Sequence, residues 1–132
     1  MKVLIGTHAF HLHLVDFDPA TSTITKVSDI KLREQPSYAL RHPIHKDLFY
    51  VTAWVESIIY VIRVDEKRGG FEVLGQAQSG GGGPTHFVLS PDGESLIMAN
   101  VSVMNRRPYA EIVRWLIHYA SSIDQEKSRG SA

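Results

Sequence analysis

Short apolar runs alternate with turn residues along the first hundred positions of this chain. The runs are rich in Val, Ile, Tyr and Phe, which suit a pleated, half-buried strand. The breaks carry turn residues, of which Pro91-Asp92-Gly93 is the clearest group, because Pro presets φ and Gly accepts positive φ. The runs do not show the 3.6-residue spacing of an amphipathic helix. The pattern therefore predicts a series of short β-strands.

The strand pattern also repeats along the chain. Residues 36–43 (PSYALRHP) recur 48 positions later as residues 84–91 (PTHFVLSP). Residues 11–18 and 58–65 form a second matching pair, with an offset of 47. Four strands in a unit of this length are typical of one β-propeller blade. In the complete copy the strands are predicted at about 37–42, 48–53, 57–64 and 71–76.

The repeat predicts three strands of a first blade, a complete second blade and two strands of a third, about two and a quarter blades. Beyond residue 104 the pattern changes, since Pro108 suits a first helical turn and apolar residues then fall at helical spacing. The sequence thus predicts an all-β partial propeller over residues 1–104. For residues 105–132 it predicts a tail outside the propeller, with a helix at about 108–121 and a disordered end.

Composition and charge narrow the class of protein. The 132 residues are 43% apolar and 21% charged, as in a soluble globular domain. Fourteen basic and 14 acidic side chains balance, so we expect no binding to nucleic acid or to a membrane surface. The absence of cysteine excludes a disulfide framework and a thiolate nucleophile. The apolar run after Met1 is too short for a signal peptide, and we expect a cytoplasmic protein.

A group of short motifs occupies the strands and turns of the repeat. They are Gly6-Thr7, Asp16-Phe17-Asp18-Pro19, His42-Pro43, residues 80–86 (GGGGPTH) and Ser90-Pro91-Asp92-Gly93. Together they resemble the lactonase family of seven-bladed β-propellers, which includes one type of 6-phosphogluconolactonase and the fungal carboxy-muconate cyclases. The resemblance covers roughly residues 2–100, which would be the first third of a family member. It implies a role in carbohydrate metabolism and a truncated chain that is inactive by itself.

The resemblance further implies that a lactone ring is opened or formed at the mouth of the central channel. The family's catalytic His, Arg and acidic residues come from several blades, most of which this sequence does not contain. His86, at the start of a predicted innermost strand, is the candidate catalytic residue, because imidazole titrates near neutral pH. Its structural alternative is a histidine bonded to the backbone of a neighbouring blade. The candidate substrate-binding residues, expected on the same face, are Asn100, Thr7, His8, Ser37 and Tyr38.

Other motifs favour structural interpretations. Residues 80–83 are not followed by the Lys-Ser/Thr of a phosphate-binding loop, and they predict a flexible connector. His11 and His13 share one face of a strand, but no third zinc ligand is evident and surface exposure is favoured. His42 and His45 flank a turn and are predicted to face solvent. We therefore predict no cofactor and no metal ion.

Three functions remain open from the sequence. In the first, a His or carboxylate activates water for attack on a lactone carbonyl, and cationic side chains hold the anionic groups of a lactone or sugar-acid substrate. In the second, a non-catalytic propeller binds a partner on its top face. In the third, the chain is a gene-model fragment without function, whose tail derives from an unspliced intron beginning near Val101-Ser102. The truncated chain is expected to self-associate through its open strand edge.

Overall fold

The computed structural model describes residues 1–33, 35–101 and 109–112, and every regular element in these ranges is a β-strand. The strands are β1 (Lys2–Gly6), β2 (His11–Asp18), β3 (Thr23–Lys31), β4 (Pro36–Arg41), β5 (Leu48–Ala53), β6 (Ile58–Asp65), β7 (Gly70–Gln78), β8 (Pro84–Leu89), β9 (Leu96–Asn100) and β10 (Tyr109–Ile112).

These strands form three antiparallel sheets in which neighbours in sequence are neighbours in space. The first sheet has the order β1-β2-β3, the second β4-β5-β6-β7 and the third β10-β9-β8. The predicted all-β partial propeller is confirmed, and the four strands predicted for the complete blade appear as β4 to β7. Because β3 and β7 both lead into the first strand of the next sheet, the first sheet corresponds to β5, β6 and β7 of the second.

The sequence repeat extends to the irregularities in strand pairing. A register shift after Leu14 in β2 recurs after Val61 in β6. A second shift, just before Tyr38 in β4, recurs just before His86 in β8. Because a bulge changes the direction of the side chain that follows it, the side chains of Tyr38 and His86 project from equivalent places on their strands.

The second sheet is packed on both faces. Successive residues of β5 point to opposite sides, as the period of a strand requires. Leu48 and Tyr50 enter a core shared with Phe87 and Met98 of the third sheet. Phe49 and Val51 point to the other side and enter a second core shared with the first sheet. Every residue of β5 is consequently buried.

The third sheet gains a strand that the sequence pattern did not predict. Tyr109–Ile112 pairs antiparallel with β9, with Tyr109 opposite Asn100. The helix predicted at 108–121 is therefore wrong over residues 109–112. Its remaining residues, and the predicted disordered end, lie outside the described residues. Pairing satisfies the backbone N–H and C=O groups along one edge of β9, and this requirement overrides local apolar spacing.

The solvent-facing placement predicted for His42 is also wrong, because its side chain is only 4% exposed. Its Nδ1 accepts hydrogen bonds from the backbone N–H groups of Ile44 and His45, at 3.1 and 3.0 Å. Its ring packs directly over Gly93, in the β8–β9 turn of the third sheet. The imidazole thus closes its own turn and joins two sheets. His45, in contrast, is half-buried.

Candidate functional site

The turns and connectors at one end of the three sheets lie together. Strands β1 and β5 end there, and β4 and β8 begin there, since Pro36 pairs with Ala53 and Pro84 with Asn100. We call this end the mouth, formed by residues 7–10, 54–57 and 79–83. At the mouth β1 packs beside β4, and β4 beside β8, so these strands mark the line along which the sheets converge.

His86 lies on β8 and reaches across to the second sheet. Its ring lies against that of Tyr38, with the two centroids 4.4 Å apart and the planes tilted by 44°. Tyr38 also meets Phe87 edge-on, at 5.1 Å between centroids. The imidazole remains exposed to solvent, whereas Phe87 is buried in the core below it. The bulge before each ring-bearing residue is what brings Tyr38 and His86 together.

Ser37, the neighbour of Tyr38, is engaged in holding this bulge. Its hydroxyl lies 3.0 Å from the hydroxyl of Thr52 on β5. The backbone N–H of Tyr38 donates to the same Thr52 oxygen at 3.1 Å, in place of a regular ladder bond. Thr52 is fully buried and was not identified by sequence reasoning. A polar residue within the apolar run of β5 was the signal that could have found it.

Asn100 is buried beneath the connector that joins the second and third sheets. It is 3% exposed, and its Nδ2 donates to the carbonyl of Ser79 at 3.1 Å. Its side chain lies against Gly81. Its Oδ1 is buried without a hydrogen-bond partner among the described residues. The amide therefore contacts the connector, through which it influences the position of β8.

The connector itself is anchored rather than loose. The hydroxyl of Ser79 donates to the Gly81 carbonyl at 2.7 Å. At the far end, the N–H of Gly83 donates to the Ser57 hydroxyl at 3.3 Å, and the Gly83 carbonyl accepts from Val101 at 2.9 Å. The flexible connector predicted from its glycine content thus has defined contacts at both ends.

Thr7 and His8 lie in the β1–β2 turn. The Thr7 hydroxyl donates to the carbonyl of His11 at 2.9 Å, and so stabilises its own turn. His8 is exposed and meets Trp54 edge-on, with ring centroids 6.5 Å apart. Trp54 was not identified from the sequence, although it follows β5 as Thr7 follows β1. A tryptophan directly after a predicted strand, at the end where the other candidates lie, was the available signal.

The shifted pKa values belong to groups outside the candidate residues. Lys2 and the N-terminal amine lower the pKa of Asp16 to about 2. In the β8–β9 turn, at the end opposite the mouth, the Ser90 hydroxyl lowers the pKa of Asp92. Burial raises the pKa of Tyr50, in the core between the second and third sheets, to about 12. These shifts identify structural carboxylates and a buried phenol rather than a titrating pair at the mouth.

A metal site does not emerge from the described part of the chain, where no three His, Cys, Asp or Glu side chains cluster closely enough to hold an ion. His11 and His13 do share a face, with ring centroids 6.0 Å apart. His13 Nδ1 lies 3.5 Å from a carboxylate oxygen of Asp29. In the same residues, no helix has the length and apolar character needed to cross a bilayer.

Comparison with protein families gives a match over residues 2–105, to the family described as lactonase, 7-bladed beta-propeller. This region contains the three described strands of the first sheet, the whole second sheet, and both β8 and β9. A search of curated protein sequences finds no match.

Solved propeller structures are similar to the chain in fold. A putative 6-phosphogluconolactonase from Bacteroides fragilis is 12% identical with a TM-score of 0.59, and the match covers 83% of this chain and 35% of that one. The periplasmic gluconolactonase PpgL of Pseudomonas aeruginosa is 9% identical with a TM-score of 0.60, covering 82% and 35%. Sqt1 from Chaetomium thermophilum is 14% identical with a TM-score of 0.57, covering 75% and 25%. At these identities the likeness concerns the fold alone, and the chain spans about a third or less of each structure.

Proposed function

Because the chain belongs to the lactonase family of seven-bladed β-propellers, we propose that it carries part of the active site of a lactone hydrolase of the 6-phosphogluconolactonase kind. Its substrate is a small lactone, and its product is a sugar acid. One observation carries the proposal. The exposed imidazole of His86 lies against the ring of Tyr38 where the first strands of two sheets converge at the mouth.

In the proposed reaction His86 acts as general base. The Tyr38 ring lies against the imidazole, and a neutral imidazole carries one ring nitrogen that can accept a proton. One nitrogen accepts a proton from water as the water oxygen adds to the lactone carbonyl. The tetrahedral oxyanion then collapses, the ring C–O bond breaks, and the leaving alkoxide takes the proton back from the imidazolium. Cationic groups elsewhere in the propeller would hold the anionic parts of the substrate.

We further propose that these 132 residues alone do not hydrolyse lactones at an enzymatic rate. The chain spans about 35% of the lactonase structures that it matches, and a catalytic set drawn from several blades loses orders of magnitude in rate when members are missing. We also propose that the chain self-associates, because Val88 and Ile97 expose apolar surface on the outer side of the third sheet.

A non-catalytic binding module is the alternative, and one observation favours it. The hydroxyls of Thr7 and Ser37 and the Nδ2 of Asn100 are hydrogen-bonded to the turn, the bulge and the connector at which they lie. They therefore stabilise the mouth structurally. The alternative predicts binding at the mouth without dependence on His86.

Ligand binding by the purified 132-residue chain separates the two proposals. We expect saturation-transfer NMR to detect binding of 6-phosphogluconate, and we expect His86→Ala to weaken it about tenfold, as for loss of a charge-assisted hydrogen bond. Ile24→Ala, at an exposed position of β3 outside the mouth, serves as the control. Unchanged binding in His86→Ala would favour the binding module.

Assays of the same chain test its activity and its state of association. We expect hydrolysis of 6-phosphogluconolactone and muconolactone no faster than the spontaneous rate, and elution from size exclusion ahead of a 14.8 kDa monomer. A monomer with enzyme-level turnover would refute both expectations.

A further inference from the structure

Trp54 is a large aromatic residue that the proposed reaction does not use. It follows directly after β5, and its side chain is 39% exposed at the mouth. The ring of His8, from the first sheet, lies edge-on beside it. Gly83, which leads into β8 of the third sheet, also lies against the indole. The indole therefore stands where all three sheets meet.

The position of the indole is set by its surroundings. The Trp54 backbone N–H donates to the Gln35 carbonyl at 3.3 Å. Gly83 has a φ of +63°, in the left-handed region that favours glycine. A Cβ at Gly83 would lie 2.6 Å from both the indole Nε1 and the Val101 carbonyl oxygen. Only glycine lets the indole edge approach this closely, so the backbone at Gly83 bounds one edge of the ring.

We propose that the exposed indole of Trp54 is a stacking surface for the ring of a sugar lactone, with the His8 ring bounding it at one side. This inference rests on the proposed function and names a specificity residue for the same mouth. A sugar ring presents axial C–H bonds on one face, which pack against a flat aromatic surface. Since the indole is already in contact with Gly83 and the His8 ring, these contacts restrict it and reduce the conformational entropy lost when the sugar ring binds.

The same surface distinguishes substrate from product. The lactone is a closed ring that offers a flat apolar face to the indole. The sugar acid formed by hydrolysis is an open chain without such a face. Trp54 therefore contributes to binding of the ring and contributes little to binding of the product, which favours product release.

The test compares a ring ligand with an open-chain ligand on the full 132-residue chain. Glucono-1,5-lactam keeps the ring and resists hydrolysis, and gluconate is the open-chain counterpart. We expect Trp54→Leu to weaken lactam binding about fivefold, the equivalent of an aromatic contact, and gluconate binding less than about twofold. Trp54→Phe retains a flat ring and should recover most of the affinity. Saturation-transfer NMR titration measures each dissociation constant.

Val73→Ala is the control, because Val73 lies on β7, outside the mouth, and is 43% exposed, about as much as Trp54. The stacking role is refuted if Trp54→Leu leaves lactam binding unchanged, or if it weakens both ligands equally. If His86→Ala weakens binding and Trp54→Leu does not, the proposed function stands and the stacking role of Trp54 is refuted. If the wild-type chain binds neither ligand, the proposed function fails and the inference fails with it.

Discussion

The second and third sheets are built from the same sequence repeat but differ in what surrounds them. Phe49 on β5 and Ile97 on β9 occupy matching positions of the repeat. Phe49 is buried against the first sheet, whereas Ile97 is 48% exposed. Burial thus alternates along β9 but is continuous along β5. The comparison teaches that a strand's pattern sets which face each residue occupies, and a neighbouring sheet decides whether that face is buried.

The largest expected effect on stability comes from truncating a buried isoleucine of the second sheet. Truncation of an exposed isoleucine of the third sheet is the comparison. Ile59 on β6 is fully buried in the core between the second and third sheets. We expect Ile59→Ala to lower the free energy of unfolding by about 3 kcal/mol, since it leaves a cavity. We expect Ile97→Ala to lower it by less than about 0.5 kcal/mol, since its side chain is half in water. Urea denaturation measures both, and equal losses would contradict the comparison.

The connector between the two sheets should show the next largest effect. Gly83→Ala places a Cβ against the indole of Trp54 in an unfavourable backbone conformation. We expect it to destabilise the chain by about 2 kcal/mol. Gly70→Ala is the control, because a Cβ there would meet only Asp65, at an ordinary 3.6 Å. The interpretation of Gly83 fails if both variants unfold at the same urea concentration.

The smallest expected effect concerns Tyr50, whose hydroxyl is buried without a hydrogen-bond partner among the described residues. Tyr50→Phe removes this polar group, and we expect the free energy of unfolding to rise by about 1 kcal/mol near pH 7. A decrease, seen by urea denaturation at neutral pH, would show that the hydroxyl stabilises the core.

The raised pKa of the same phenol predicts that the stability of the chain depends on pH in the alkaline range. Burial raises the Tyr50 pKa to about 12, from an ordinary value of 10.0. Between these values the unfolded chain loses the phenol proton and the folded chain keeps it. Ionisation of Tyr50 therefore does not affect the free energy of unfolding below pH 10, and it lowers that free energy as the pH rises from 10 towards 12. We expect wild-type stability to fall more steeply than that of Tyr50→Phe in this range, and parallel curves would refute the assignment.

Local sequence was sufficient to predict most of the strands. It was insufficient where the position of a side chain depends on residues that are distant in sequence. The bulges before Tyr38 and His86 fall at equivalent places because the repeat encodes them twice. The contact between these two rings required the packing of β8 beside β4. Asn100 was a candidate for substrate binding, but its amide is engaged by Ser79 in the preceding connector. The packing of Trp54 against Gly83 could not be predicted, because the two residues are far apart along the chain.

The sequence by itself determined the strands, their order and their faces, because alternation of side chains and turn chemistry act between neighbouring residues. The tertiary structure alone decided which faces are covered, the burial of His42 over Gly93, and the strand at Tyr109–Ile112 where local spacing predicted a helix. Burial and edge pairing depend on groups that are remote in sequence. Their contributions to the free energy exceed the small local preferences that distinguish a helix from a strand.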